Sequence, residues 1–371
     1  MDHLQTNLPY SRPNTPGLHP SQIGFVGIGA MGYFMARNLA NRRVIPGFAH
    51  APLLLWNRSA EKPQKLVKEL GEERVRITQS IEEIVNSCEV IITNLANDEV
   101  VKSIYDQFLK ILTQSPPVKN KIFVETSTVG LILSVLYILT GLSSISGNLI
   151  TLGELDGLLS QIRHVHFVTA PVFGTPSVAD KAQLVIIMSG DYRSKKELAY
   201  LLVPSMGRKV IDVGENVEKA PTFKLIGNSM ILGAIEVFGE AYTLGEKAGI
   251  EADRVNELVK DIFPAPGLMA YSDRMANDNF DGSIGFAIDG GIKDATHIRR
   301  LTATYNSPMP AIDVAHQHLI TARAIHTTQK LEGKQSVETL DWSGIIAGSR
   351  VAAGLDPFDS KKHQSIVQED E

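Results

Sequence analysis

Residues 27–32 read Gly-Ile-Gly-Ala-Met-Gly and follow directly on the apolar run Ile23-Gly24-Phe25-Val26. A GxGxxG turn between a strand and a helix leaves a chain few architectures. The first glycine permits the tight turn, the second lets a pyrophosphate approach the backbone, and the third brings helix and strand together. The helix that follows, read over Tyr33–Asn41, offers unpaired N–H groups and a partial positive charge to phosphates at its N-terminus. Gly27, Ile28, Gly29, Ala30, Met31 and Gly32 are therefore candidate contacts of a dinucleotide. Out of context the same hexapeptide is an ordinary glycine turn; its place after a strand gives it force.

Further apolar runs follow at Leu53–Trp56, Val90–Thr93, Lys121–Val124, His166–Val168 and Leu184–Met188, with helical patterns between them at Lys62–Leu70 and Glu99–Leu112. That alternation predicts an α/β domain of Rossmann type over residues 21–214, with a mostly parallel sheet covered on both faces. The character changes after Gly214. Pro221–Ala248 is one long stretch of apolar and small residues, and helical patterns recur at Asp253–Ile262, Asp294–Tyr305 and Ala311–Lys330. An all-α second domain over 215–332 is expected, and 371 residues suffice for two cores. Residues 333–371 read as a loosely packed tail. Residues 1–20, rich in Pro, Ser and Asn, read as a disordered lead-in.

A net charge of -5 gives no electrostatic reason to expect nucleic acid. The single cysteine, Cys88, rules out an intrachain disulfide, suits a reducing compartment and sits in an apolar run as buried filler. The first residues lack the apolar core of a secretory signal and the repeated arginines of a mitochondrial presequence, so a cytoplasmic location is expected. His164, His166, His297, His316 and His318 show no metal-ligand spacing, and no metal is expected. One stretch stands apart: residues 126–153 contain no Asp, Glu, Lys or Arg. Length and apolarity make 131–150 a weak candidate for a membrane span. A span between two strands of one sheet would pull the sheet apart, so no membrane association is expected.

The turn after the second strand reads Trp56-Asn57-Arg58-Ser59. A carboxylate there would hold the ribose 2′-hydroxyl of NAD, whereas a guanidinium suits the 2′-phosphate of NADP. Asn57, Arg58 and Ser59 are thus candidate contacts; NADP is preferred and NAD remains possible, because Arg58 also reads as a solvated loop residue. Hydride transfer to or from an alcohol needs a group that gives or takes the hydroxyl proton. Lys224 is the first candidate, and Asn228, one helical turn further on, could orient a substrate. Taken alone, the pair is a solvated helix face. Ser127 and Thr128 follow the fourth strand at the end where open α/β sheets bind ligands, and Gly174 and Thr175 lie in a second loop with exposed N–H groups. Either is also readable as an ordinary turn, and Lys293-Asp294 as a helix start.

Together these pieces resemble the β-hydroxyacid dehydrogenase family, which includes 3-hydroxyisobutyrate dehydrogenases and glyoxylate/succinic semialdehyde reductases. The resemblance runs from about Gln22 to Lys330. Gly24–Gly32 is similar to the family's cofactor signature, Glu125-Thr126-Ser127-Thr128 to its Asp-x-Ser-Thr motif, and Ala170–Thr175 to its Ala-Pro-Val-Ser-Gly-Gly loop. The resemblance implies Lys224 as general acid/base and Asn228 as substrate contact, with Ser127, Thr128, Gly174 and Thr175 holding a small-molecule carboxylate. It places Leu95, Thr128, Lys293 and Asp294 at the cofactor, and Asn-Arg-Ser goes with NADP preference. It also implies homodimers or homotetramers. Phe173 and Thr175 depart from the family's Ser and Gly. The larger departure is the uncharged insertion, residues 130–152, whose composition is that expected of a retained intron or gene-model error and which would displace the loop beside Ser127.

Overall fold

The computed structural model describes residues 8–11, 22–42, 51–130, 132–134, 149–334 and 337–362. Its strands are β1 Ile23–Val26, β2 Leu53–Trp56, β3 Val75–Ile77, β4 Val90–Thr93, β5 Lys121–Glu125, β6 Ile132–Ser134, β7 Leu149–Thr151, β8 Val165–Thr169, β9 Val172–Phe173, β10 Leu184–Gly190 and β11 Gly207–Asp212. Its helices are α1 Ala30–Ala40, α2 Glu61–Leu70, α3 Ile81–Ser87, α4 Asp98–Gln114, α5 Leu152–Ser160, α6 Pro176–Asp180, α7 Tyr192–Leu202, α8 Lys219–Lys247, α9 Ala252–Ile262, α10 Pro266–Ala276, α11 Ile288–Tyr305, α12 Pro310–Leu331 and α13 Ile346–Ala352. The chain divides into two compact units, residues 1–224 and 225–371.

In the first unit the main sheet runs β11-β10-β8-β5-β4-β1-β2-β3, with β9 paired to β10. The six strands from β8 to β3 are all parallel. β10 runs antiparallel to β8 and parallel to β11. From β1 the chain builds outward through β2 and β3, then returns to place β4 on the opposite side of β1. That reversal opens a crevice at the carboxyl ends of β1 and β4, the place where sheets of this type take ligands. Successive residues of each strand serve opposite faces. Phe25, Leu55, Ile92 and Val124 enter one core, and Val26, Leu54, Ile91 and Phe123 the other. Burial on both faces explains why these strands read as unbroken apolar runs rather than alternating ones. The expected α/β sheet followed by a helical C-terminal region is present.

The second unit gathers α9–α13 and most of α8 around Leu225, Ile235, Phe238, Ile298, Leu319, Trp342 and Ile345. Here the expectation of a loosely packed tail is corrected. Trp342, Ile345, Ile346 and Ala347 are buried, and Arg350 is 1% exposed, paired with Asp278 at 2.8 Å and Glu246 at 3.3 Å. The tail hid its role because a short 3-10 turn over Trp342–Ile345 followed by a helix of seven residues is too brief to show a helical period. The disordered lead-in needs a similar correction at residues 8–11. Tyr10 is buried, its hydroxyl donates to Asp212 Oδ2 at 2.8 Å, and its carbonyl accepts from the Tyr200 hydroxyl. The rest of residues 1–20 lies outside the described residues.

The ends of the uncharged segment form a two-stranded antiparallel pair, with Ile132 opposite Thr151 and Ser134 opposite Leu149. Residues 135–148, the middle of the span candidate, lie outside the described residues. Among the described residues no helix is long and apolar enough to cross a membrane.

Candidate active site

The site is built on the carboxyl ends of β1, β2, β4 and β5. Gly27 has φ +98°, and a Cβ there would stand 2.2 Å from the Asn94 carbonyl oxygen; one on Gly32 would stand 2.1 Å from the Gly27 carbonyl oxygen. A Cβ on Gly29 would meet nothing within 4 Å. The loop is thus tight on its inner side and open at Gly29, the fit a pyrophosphate requires. No side chain caps α1, so its first N–H groups face the same opening. Asn57 ties this loop to the turn after β2. Its Oδ1 accepts from Ile28 N–H at 2.9 Å, and its Nδ2 donates to the Ser59 carbonyl at 2.8 Å and to Ser59 Oγ at 3.1 Å. Arg58, between them, is exposed and forms no ion pair among the described residues.

The turns after β4 and β5 are laced together. Leu95 N–H donates to Ser127 Oγ at 2.6 Å, and Asn94 Nδ2 donates to Thr126 Oγ1 at 3.1 Å. Beneath them Glu125, 1% exposed, accepts from Ser127 N–H and from Thr93 Oγ1, both at 2.7 Å. Burial pushes the Glu125 carboxyl above its ordinary value, against the opposing hydrogen bonds from Ser127, Thr93 and Tyr105. Ser127 is itself buried; Thr128 is half-buried.

Lys224 sits near the start of α8, and hydrogen bonds explain how that start is anchored. Ser189 Oγ accepts from Ala220 N–H at 3.0 Å, while Thr169 Oγ1 and Ser189 Oγ donate to the Val217 carbonyl at 2.6 and 3.1 Å. All of these groups are buried, so the ends of β8 and β10 grip the entry to the helix. Lys224 is 7% exposed, and its Nζ lies 3.9 Å from the centroid of the Phe173 ring. An ammonium over an aromatic face at that distance is attracted by about 1 kcal/mol. In the same loop Gly174 has φ +144°, and a Cβ there would meet Leu184 Cδ2 at 2.6 Å. The Thr175 hydroxyl pairs with Ser177 Oγ at 2.8 Å, at the entry to α6.

Within the second unit Asn228 Nδ2 donates to Asp294 Oδ2 at 2.6 Å, and Lys293 Nζ lies 3.3 Å from Asp294 Oδ1. Asn228, Lys293 and Asp294 are therefore one cluster, with Asn228 and Asp294 buried. Lys293 and Asp294 lie inside α11 rather than at its start. Sequence reasoning missed the part played by Glu125, Thr93 and Tyr105. The available signal was an acid closing the apolar run Ile122–Val124.

A family model for the NAD binding domain of 6-phosphogluconate dehydrogenase matches residues 22–135, and one for the NAD-binding region of NADP-dependent 3-hydroxyisobutyrate dehydrogenase matches residues 219–338. The chain is 26% identical over 328 residues to the oxidoreductase YfjR of Bacillus subtilis (strain 168), covering 88% of this chain and 98% of that one. It is likewise 26% identical over 329 residues to the NADH-dependent oxidoreductase ucdB of Aspergillus ustus, with the same coverage. The 3-hydroxyisobutyrate dehydrogenase structure from Salmonella typhimurium shares the fold at a TM-score of 0.65 and 16% identity, over 88% of this chain and 98% of that one. The first match spans the glycine loop and the Glu125–Thr128 turn, and the second spans Lys224, Asn228 and Lys293-Asp294; the chain belongs to the β-hydroxyacid dehydrogenase family of NAD(P)-dependent oxidoreductases.

Proposed function

We propose that the chain transfers hydride between a nicotinamide cofactor and a small β-hydroxyacid or aldehyde acid of the 3-hydroxyisobutyrate, glyoxylate or succinic semialdehyde type. The observation that carries this reading is the buried Lys224 ammonium, held over Phe173 on a helix whose entry is bonded to the sheet ends. The bound nicotinamide supplies or takes up hydride at the carbon that bears oxygen. Lys224 Nζ gives a proton to the carbonyl oxygen on reduction and takes the hydroxyl proton on oxidation. Gly27–Gly32 hold the pyrophosphate, Asn57, Arg58 and Ser59 the adenosine end, and Leu95 and Thr128 the far half, with Lys293-Asp294 as a further cofactor contact. Ser127, Thr128, Gly174, Thr175 and Asn228 receive the substrate carboxylate. NADP is the preferred cofactor, because Arg58 is exposed beside the loop with no carboxylate paired to it among the described residues; the NADH dependence of the relative from Aspergillus ustus supports NAD as the second choice.

The working unit in this reading is a homodimer or a larger homo-oligomer in the cytoplasm. Phe223, Met230, Val237 and Leu244 recur every seventh residue of α8 and are 40%, 69%, 55% and 71% exposed. They form an apolar stripe about 32 Å long. A second copy of the chain, presenting the same stripe, would cover it as a two-fold contact does.

A second reading, a catalytically impaired cofactor-binding scaffold or an imine-reductase-like enzyme, draws on two observations. The Thr175 hydroxyl is turned toward Ser177, and an added strand pair leaves the chain directly after the Ser127 turn. The test is NADPH oxidation followed with glyoxylate and succinic semialdehyde, with Lys224→Ala as control. Turnover that falls at least a hundredfold in the variant supports the first reading. NADPH binding without turnover supports the second.

A further inference from the structure

We infer that Glu125 is a positioning residue that locks the turn after β5 to the turn after β4 and so shapes the wall against which the nicotinamide half of the cofactor lies. The inference rests on the cofactor placement proposed above. With the pyrophosphate at Gly27–Gly32 and the adenosine end at Asn57–Ser59 beyond β2, the other half of the dinucleotide must run the opposite way. It then passes over the ends of β4 and β5.

At those ends one buried carboxylate organises both turns. Its Oε1 takes the Ser127 amide, and Ser127 Oγ takes the Leu95 amide, so the carboxylate reaches the β4 turn through one residue. Its Oε2 takes the Thr93 hydroxyl from the last residue of β4, and Thr93 Oγ1 lies 3.2 Å from the Tyr105 hydroxyl on α4. Thr126 Oγ1 donates to the Thr93 carbonyl at 2.6 Å and adds a second tie between the strands. The Ser127 amide can only donate, whereas the Thr93 hydroxyl, which also lies 3.1 Å from the Val124 carbonyl, can donate or accept. A glutamine can keep its carbonyl on the Ser127 amide and give its NH2 to Thr93 Oγ1, whose proton then turns to the Val124 carbonyl; a leucine removes both ties and leaves the Ser127 amide without its acceptor.

The test is a fluorescence titration of the full chain with NADPH, alongside a calorimetric titration with 2′,5′-ADP, a fragment that reaches only the adenosine end. Neither needs a substrate, so the outcome stands apart from whether aldehyde acids are turned over. Glu125→Leu is expected to weaken NADPH about tenfold, the loss typical of a hydrogen bond to a charged group, while 2′,5′-ADP binding stays within about twofold; Glu125→Gln, which can keep both ties, should recover most of the NADPH affinity. Thr93→Val, which removes one donor to the carboxylate, should give the same pattern at about threefold and serves if Glu125→Leu does not fold. Should NADH prove the tighter ligand of the native chain, NADH and ADP replace the pair. Unchanged NADPH binding overturns the inference. Equal weakening of both ligands also overturns it, because the residue would then only stabilise the domain.

Discussion

The Lys224 ammonium and the Phe173 ring meet at 3.9 Å, in a loop where the family pattern carries a serine. A hydroxyl would offer a hydrogen bond at that place; the ring offers only its negative face, which attracts the ammonium without fixing a direction. Phe173→Leu keeps most of the bulk and removes the quadrupole. It is expected to lower kcat about fivefold and leave KM nearly unchanged, since in the proposed reading the ring acts on the proton donor rather than on substrate binding. Steady-state kinetics on the variant decide the matter, and a change confined to KM would move Phe173 to the substrate side of the site.

Gly27 and Gly29 should respond differently to the same added methyl group. On Gly27 the methyl meets the Asn94 carbonyl oxygen at a backbone angle that L residues avoid, so Gly27→Ala should lose about 2 kcal/mol or more of stability along with cofactor binding. On Gly29 the methyl points into open space. Gly29→Ala should keep its melting temperature within about 2 °C and still weaken NADPH about tenfold, because the methyl occupies the approach proposed for the pyrophosphate. Thermal melts paired with NADPH titrations separate the two effects.

Asp212 carries a prediction in acid. Burial alone would raise its carboxyl, but the Lys195 ammonium, the Gly214 amide and the Tyr10 hydroxyl outweigh burial and hold it below its ordinary value. A carboxyl lowered in the folded state contributes stability that is complete above its unfolded pKa of about 4 and is lost as pH falls through the folded value. Lys195 is 1% exposed, so Asp212→Asn leaves a buried ammonium with neutral carbonyl acceptors and no counter-charge. The variant should lose about 3 kcal/mol at pH 7. Its urea midpoint should also depend less on pH between about 4 and 2 than that of the native chain. Parallel pH curves for both proteins would dismiss the ion pair as a source of stability.

How much of this was legible beforehand follows the length of each signal. The strands β1, β2, β4, β5, β8 and β10 and the long α8 announced themselves, because fully buried strands and a 29-residue helix give sustained patterns. The three-residue β3 and the seven-residue α13 did not, and their places come from packing rather than local preference. Tyr10 hides within a stretch that reads as a lead-in, because its partners, Asp212 and Tyr200, lie about two hundred residues away. Within the site the glycine loop was readable through backbone geometry. The Glu125 brace was not, since it depends on Thr93 of the neighbouring strand, a pairing that only the sheet order creates.

The uncharged segment gives the last prediction. Its base is orderly on both sides: Val129 and Leu152 are buried in the same core, Gly130 N–H donates to Asp98 Oδ1 at 3.2 Å, and Gly153 N–H donates to Glu218 Oε1 at 3.2 Å. Between them the chain leaves and returns through facing strands, since Ile132 and Thr151 are paired. Residues 132–151 can therefore be replaced by Asn-Gly, which closes a two-residue turn, while the buried ends are left alone. A cut that removed Val129 or Leu152 as well would open the core and confuse the result. If the segment is an accidental translation, the shortened chain should melt within about 3 °C of the native one. Its turnover of aldehyde acids should rise at least tenfold, because the Ser127 turn no longer carries the appended strands. A shortened chain that melts without cooperativity, or that turns over no faster, would show that the segment belongs to the working protein.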